Sequence, residues 1–268
     1  MHAFHLTFGG MKRVVGTLWL VVIVMCSQAQ IHVSKLVIKA NEKFSFDQSD
    51  IVVADTLIME DSSSIVLNRL KKENYLHTKV AIIGKGCVIE GFGVHGKPGR
   101  KGMAGDSPGG PCRSGTNGRN GGRGLDGTTG VNLFLYLEKI TLNGNLTVNL
   151  SGGNGGNGGN GGEGGGGSPG TVHCNGGDGG LGGNGGNGAN GGNGGQLTIY
   201  CPANLSATVN AKINSHNHGG EFGKGGRGGY SGSAGLGPAR RNGKPGLAGT
   251  DGTDGVHGKS GSVSIVQH

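Results

Sequence analysis

The sequence predicts an all-β protein: a small β-solenoid or sandwich scaffold carrying glycine-rich excursions of polyproline-II or polyglycine-II type, with little or no helix outside a signal peptide. Three observations predict it. Apolar residues come in short, β-branched runs set between Asp, Ser, Asn and Gly, which is the pattern of strands and turns. Glycine makes up 64 of 268 residues, more than three times the usual share of about 7 %, and it recurs at every third position over long tracts. No amphipathic helical period is visible.

The N-terminus is set aside first. Met11, Lys12 and Arg13 give a positive start, Val14 to Met25 an apolar stretch, and Ser27-Gln28-Ala29 a small-x-small cleavage signal. Residues 1–30 therefore read as a signal peptide whose start is Met11. The apolar stretch is too short for the ~20 residues of a membrane span, so no integral span is expected after cleavage. Losing Lys12 and Arg13 leaves a chain that is still basic, its whole length carrying +8. Export makes nucleic acid an unexpected partner; anionic glycans and the cell envelope fit better.

Residues 31–92 form an N-terminal β region. Its runs include Ile51-Val52-Val53, Leu57-Ile58-Met59, Ile65-Val66-Leu67 and Val80-Ala81-Ile82-Ile83. A first glycine-rich module spans 93–130, strands return over 131–151, a Gly-Gly-Asn module spans 152–195, and strands recur over 196–218. A third, glycine-rich and collagen-like module covers 219–261, with single-Gly triplets over 243–261, before a closing strand at 262–268, which is expected to rejoin the earlier sheet. Within these spans, strands are expected at 131–137, 140–150, 197–201, 205–213 and 263–266, and residues 69–76 read as a charged loop.

A period of three suits an extended left-handed helix that makes no hydrogen bonds within itself. Its backbone groups must go to water, to other chains, or to neighbouring segments of the same chain. With two Gly per triplet, two of three faces admit another backbone, which satisfies groups otherwise left without partners. Phase slips at 105–109 and breaks at Cys112 and His173, together with only 7 Pro, argue against a long independent collagen triple helix, where proline is far richer.

The Gly-Gly-Asn triplets, with Gly96-Lys97-Pro98-Gly99 and the 243–255 triplets, resemble bacterial secreted collagen-like and glycine-rich surface proteins. They are also similar to the polyglycine-II tip modules of phage adhesins and to the glycine-rich antifreeze protein of snow fleas. The resemblance implies an exported, non-enzymatic structural protein of the cell surface or extracellular matrix. Alternatives are a glycan- or receptor-binding adhesin and an ice-binding protein. Partners would be glycans, the cell envelope, other matrix proteins or further copies of the chain.

Candidate site residues follow from the repeat. Asn154, Asn157, Asn160, Asn184, Asn187, Asn190 and Asn193 form a ladder of amides repeating at about 9 Å, suited to a sugar chain or ordered water, or serving as a soluble spacer. Cys87, Cys112, Cys174 and Cys201 are an even set favouring two disulfides in an oxidising compartment, with Cys87–Cys112 and Cys174–Cys201 the pairing that sequence neighbours suggest. No catalytic residue, metal site or cofactor is expected. His216-Asn217-His218 has no companion set beyond Glu221. Residues 121–128 match the calcium-binding nonapeptide only in part, and no strand-to-helix context supports a nucleotide loop.

Overall fold

The computed structural model describes residues 30–47 and 49–268; the signal-peptide reading lies almost wholly outside them. Short runs of Val, Ile and Leu alternate with polar residues and form eleven strands. In chain order these are β1 Gln30–Ile38, β2 Lys43–Ser45, β3 Ile51–Met59, β4 Ser64–Val66, β5 Glu73–Ile83, β6 Cys87–Glu90, β7 Asn132–Leu142, β8 Leu146–Asn149, β9 Leu197–Cys201, β10 Ile213–His216 and β11 Val263–Gln267. Among the described residues one short α-helix, α1, spans Ser206–Lys212.

All pairings among the described residues are parallel. Odd-numbered strands build a six-stranded sheet in the order β1-β3-β5-β7-β9-β11, and even-numbered strands a five-stranded sheet in the order β10-β8-β6-β4-β2. The chain crosses from one sheet to the other at tight corners, where Asn41, Ser62 and Gly86 each take a positive φ of about 60–67°. Inward side chains of both sheets, among them Val52, Leu76, Leu135 and Ile199 on one side and Ile65, Ile89 and Val148 on the other, merge in one buried cluster. Two buried asparagines fix the loop before β5: Asn74 Oδ1 accepts the N–H of Asn68 at 2.8 Å, and Asn74 Nδ2 donates to the Asn68 carbonyl at 3.1 Å.

Three local expectations change. The stretch expected as a strand over 205–213 contains α1 and only then β10. Alternating Leu205, Ala207, Val209, Ala211 and Ile213 suits a strand by period, but Ala207 and Ala211 are strong helix formers, and Val209 is the one helix residue that is buried. Residues 131–150 form β7 and β8 with the break at Asn143-Gly144-Asn145, later than expected. The charged loop over 69–76 gives way to β5 at Glu73. The closing strand does rejoin the earlier sheet, with Ile265 opposite Ile199 on β9.

Candidate functional site

Each glycine-rich module goes out and comes back. The chain leaves the five-stranded sheet after β6, β8 and β10 and re-enters the six-stranded sheet at β7, β9 and β11. Six segments result: 91–106, 114–131, 151–168, 176–196, 217–236 and 243–262. The phase slips and the interruptions at Cys112 and His173 fall at the reversals, where the three-residue ladder of lateral bonds stops.

The segments hydrogen-bond laterally, at every third residue. In the outgoing layer, Gly96 and Gly99 donate to Asn154 and Asn157 of the third segment, while Gly155 and Gly158 donate to Glu221 and Lys224 of the fifth. In the returning layer, Gly121 and Gly124 donate to Asn184 and Asn187, and Gly182 and Gly185 to Leu247 and Thr250. Antiparallel bonds join the layers: Gly156 donates to Leu125, Gly186 to Gly159, Gly226 to Gly186 and Gly252 to Gly226. The ladder runs unbroken into the sheet, since Gly130 donates to Asn193 and Leu133 of β7 to Gln196.

Position in this bundle explains the glycine spacing. The third and fourth segments bond to four others each and carry Gly pairs; a side chain at Gly153 would strike the Val94 carbonyl, and one at Gly152 the Gly192 carbonyl. The first and sixth segments bond to only two others. They carry one Gly per triplet, and residues such as Lys97, Arg100, Leu247 and Thr250 lie exposed. Collagen-like spacing over 243–261 is thus what the edge of this bundle requires. Ala189 is the one methyl admitted among the paired glycines of the fourth segment. Its N–H reaches Gly156 at 3.0 Å, where Gly186 and Gly192 make the equivalent bonds at 2.8 Å.

All seven ladder asparagines have Oδ1 engaged by the next segment of their own layer. Asn154, Asn157 and Asn160 accept the N–H groups of Glu221, Lys224 and Arg227 at 2.9–3.0 Å. Asn184, Asn187, Asn190 and Asn193 accept those of Thr250, Thr253, Val256 and Lys259 at 2.8–3.1 Å. These X-position amides have no carbonyl partner of their own, and a short Asx side chain reaches them. Asp126 does the same for Asn190, and Asp178 for Lys244. Asp126 also pairs with Arg123 at 3.1 Å, so both charged members of the partial calcium motif have protein partners. The sequence reading missed this acceptor role. Its only signal was the recurrence of short Asx residues at X.

The disulfide pairing is corrected. Cys112 bonds Cys174, with Cα atoms 6.0 Å apart, while Cys87 and Cys201 are buried free thiols. Cys112 and Cys174 sit on the reversals of the first two excursions, which the layered bundle brings side by side; Cys112 N–H also donates to the Pro169 carbonyl at 2.8 Å. Cys87 and Cys201 lie in β6 and β9 as core residues, and burial pushes the Cys201 thiol up from its ordinary range. The third reversal docks on the second through Arg241, whose guanidinium donates to the Thr171 and Val172 carbonyls.

On the outer face of the six-stranded sheet, aromatic rings stack along the register. Tyr75 lies 4.8 Å from Phe134, and Tyr136 lies 4.3 Å from Tyr200. The Tyr75 hydroxyl donates to Glu73 at 2.7 Å. That bond raises its pKa, and burial raises that of Tyr136. Lys79 and Asp55 pair at 2.7 Å across β5 and β3. Among the described residues, no group of three or more His, Cys, Asp or Glu side chains is placed to hold a metal, and no helix is long and apolar enough to cross a membrane.

No protein-family model and no curated protein matches the chain. Among solved structures it is similar to a springtail antifreeze protein from Granisotoma rainieri, described as a nine polyproline type II helical bundle. The identity is 23 %, over 56 % of this chain and 94 % of that one, with a TM-score of 0.18. A TM-score that low carries no argument about fold or function.

Proposed function

We propose that the chain is an exported, non-enzymatic structural protein of the cell surface or extracellular matrix: a small β-solenoid prolonged by a polyglycine-II bundle. Alternation of odd and even strands between two parallel sheets supports the solenoid. Glycine faces bonded laterally at every third residue support the bundle. The observation that carries the functional reading is the destination of the repeat. Its glycine amides and its asparagine oxygens are spent on holding segments together, which is the work of a scaffold. A disulfide between two distal reversals suits an oxidising compartment. The test is surface labelling and protease treatment of intact producing cells. Labelled protein with Cys112–Cys174 oxidised is expected; protein confined to the cytosol with all thiols reduced overturns the reading.

A second reading, an adhesin for glycans or a receptor, is favoured by one observation. Among the described residues, the Nδ2 groups of the seven ladder asparagines donate to no protein atom, so each amide keeps two donors. Asn157→Asp and Asn187→Asp preserve the structural acceptor and remove those donors. Loss of glycan-array binding with an unchanged melting temperature supports an adhesin; no binding by the unsubstituted protein removes it.

A further inference from the structure

The bundle has two lateral edges, and their charges differ. At one edge the first and second segments are joined by bonds from Arg119, Gly122, Leu125 and Thr128 to the carbonyls of Met103, Arg100, Lys97 and Val94. Lys97, Arg100, Lys101, Arg119 and Arg123 are all exposed there. Asp126 partners Arg123 at 3.1 Å, and no other ion pair among the described residues involves the five. At the other edge the sixth segment is balanced: exposed Lys244 and Lys259 stand against Asp251 and Asp254, whose Oδ1 atoms accept the N–H groups of Gly228 and Gly225 at 2.7 Å. Packing asks only for one glycine per triplet at an edge, so nothing in the fold calls for a run of cations on one of them.

We propose that this basic edge is a docking strip for a linear acidic polysaccharide. The proposal goes beyond the scaffold reading and does not depend on it. On a polyglycine-II segment, residues three apart repeat at about 9 Å, so Lys97 and Arg100 set a regular charge interval along a straight edge. A polyuronate chain presents carboxylates in comparable linear succession. Other exposed residues of the two segments include Val94, His95, Pro98, Met103, Leu125 and Thr128. His95 is turned to the third segment, its Nδ1 accepting the Asn154 N–H at 2.8 Å. With no exposed Phe, Tyr or Trp on the two segments, the strip lacks the large stacking platforms with which proteins hold single-stranded nucleic acid. The far edge sets two acids beside two lysines and so has no net charge to neutralise the five cations, which favours an external polyanion over a second copy of the chain.

The experiment is titration of the full chain with a polygalacturonate oligomer at low and at physiological salt, beside its methyl-esterified form and a mixed-sequence single-stranded DNA. Arg100→Gln, Lys101→Gln and Arg119→Gln are combined in one variant. Lys35→Gln, Lys39→Gln and Lys139→Gln, exposed on the sheet end of the molecule, form a charge-matched control. The edge variant is expected to lose roughly ten-fold in affinity and the control less than about two-fold, with the charged oligomer preferred over its ester. Equal losses in both variants, equal binding of the ester, or tighter binding of the DNA would overturn the proposal. So would salt-sensitive self-association, abolished in the edge variant, without polygalacturonate binding.

Discussion

The side-chain oxygen of Asn187 accepts the backbone N–H of Thr253 at 3.1 Å, across 66 positions of sequence. Asn120 reaches Asn184 in the same way, and Asn184 reaches Thr250. The X residue of a Gly-Gly-Asn triplet thus bonds sideways to the next segment of its layer.

That role separates the amide's two halves. Asn187→Ala leaves the Thr253 amide without its acceptor and is expected to cost about 1 kcal/mol. Asn187→Asp keeps the oxygen and should be close to neutral, as Asp126 and Asp178 already are in equivalent places. Chemical denaturation of the two variants checks this; equal stability of both would mean the bond contributes nothing.

Glycine at an interior site is a packing requirement. In Gly186→Val a branched side chain would be driven into the Gly122 carbonyl, and a backbone held on several sides cannot retreat. The loss is expected at or above the upper end of the roughly 1–3 kcal/mol typical of overpacking. Leu247→Ala on the edge, where Leu247 is 74 % exposed, should stay within about 0.5 kcal/mol. Thermal melts of the pair test the distinction between interior and edge.

The cysteines offer a chemical test. Alkylation of the oxidised protein, denatured without reductant, should label Cys87 and Cys201 and leave Cys112 and Cys174 blocked. In the folded state Cys201 should react slowly, being buried with a raised pKa. The Cys112–Cys174 link closes a separation of 62 residues, worth about 4 kcal/mol by loop entropy. Cys112→Ser with Cys174→Ser should lower the melting point accordingly.

Alkaline pH should weaken the sheet face. Tyr75 is raised by its bond to Glu73 and Tyr136 by burial, so the folded state holds both protons more tightly than the unfolded chain. Their contribution is complete below the ordinary tyrosine pKa of about 10 and is lost as pH rises through the raised values. Spectrophotometric titration should show both ionising late, with one late step missing in each of Tyr75→Phe and Tyr136→Phe. Ordinary titration of both would refute this.

Much of this architecture was legible in the residues. Ile51-Val52-Val53 and Ile65-Val66-Leu67 read as strands because their surroundings are turn-formers, and the period of glycine marked the tracts. The reversal at Cys112 and His173 looked like a defect in a repeat, because composition says nothing about direction. Pairing of Cys112 with Cys174 depends on which reversals become neighbours, and only the layered bundle decides that. The single-Gly triplets at 243–261 looked like collagen because edge and triple-helix positions both leave two residues in three unpacked. The asparagines could be placed on one face from spacing alone, but the acceptor role of Oδ1 needs the partner segment.

Hydrogen exchange across 151–196 and 217–262 in the oxidised protein tests the packed bundle most directly. Both amides of interior Gly pairs such as Gly185-Gly186 should be protected, as should Thr250, Thr253 and Val256, which donate to asparagine oxygens. The edge amides of Ala248, Asp251, Asp254 and His257, which donate to no protein atom, should exchange freely, giving protection in step with the triplet. Uniformly fast exchange through the glycine tracts would contradict the account.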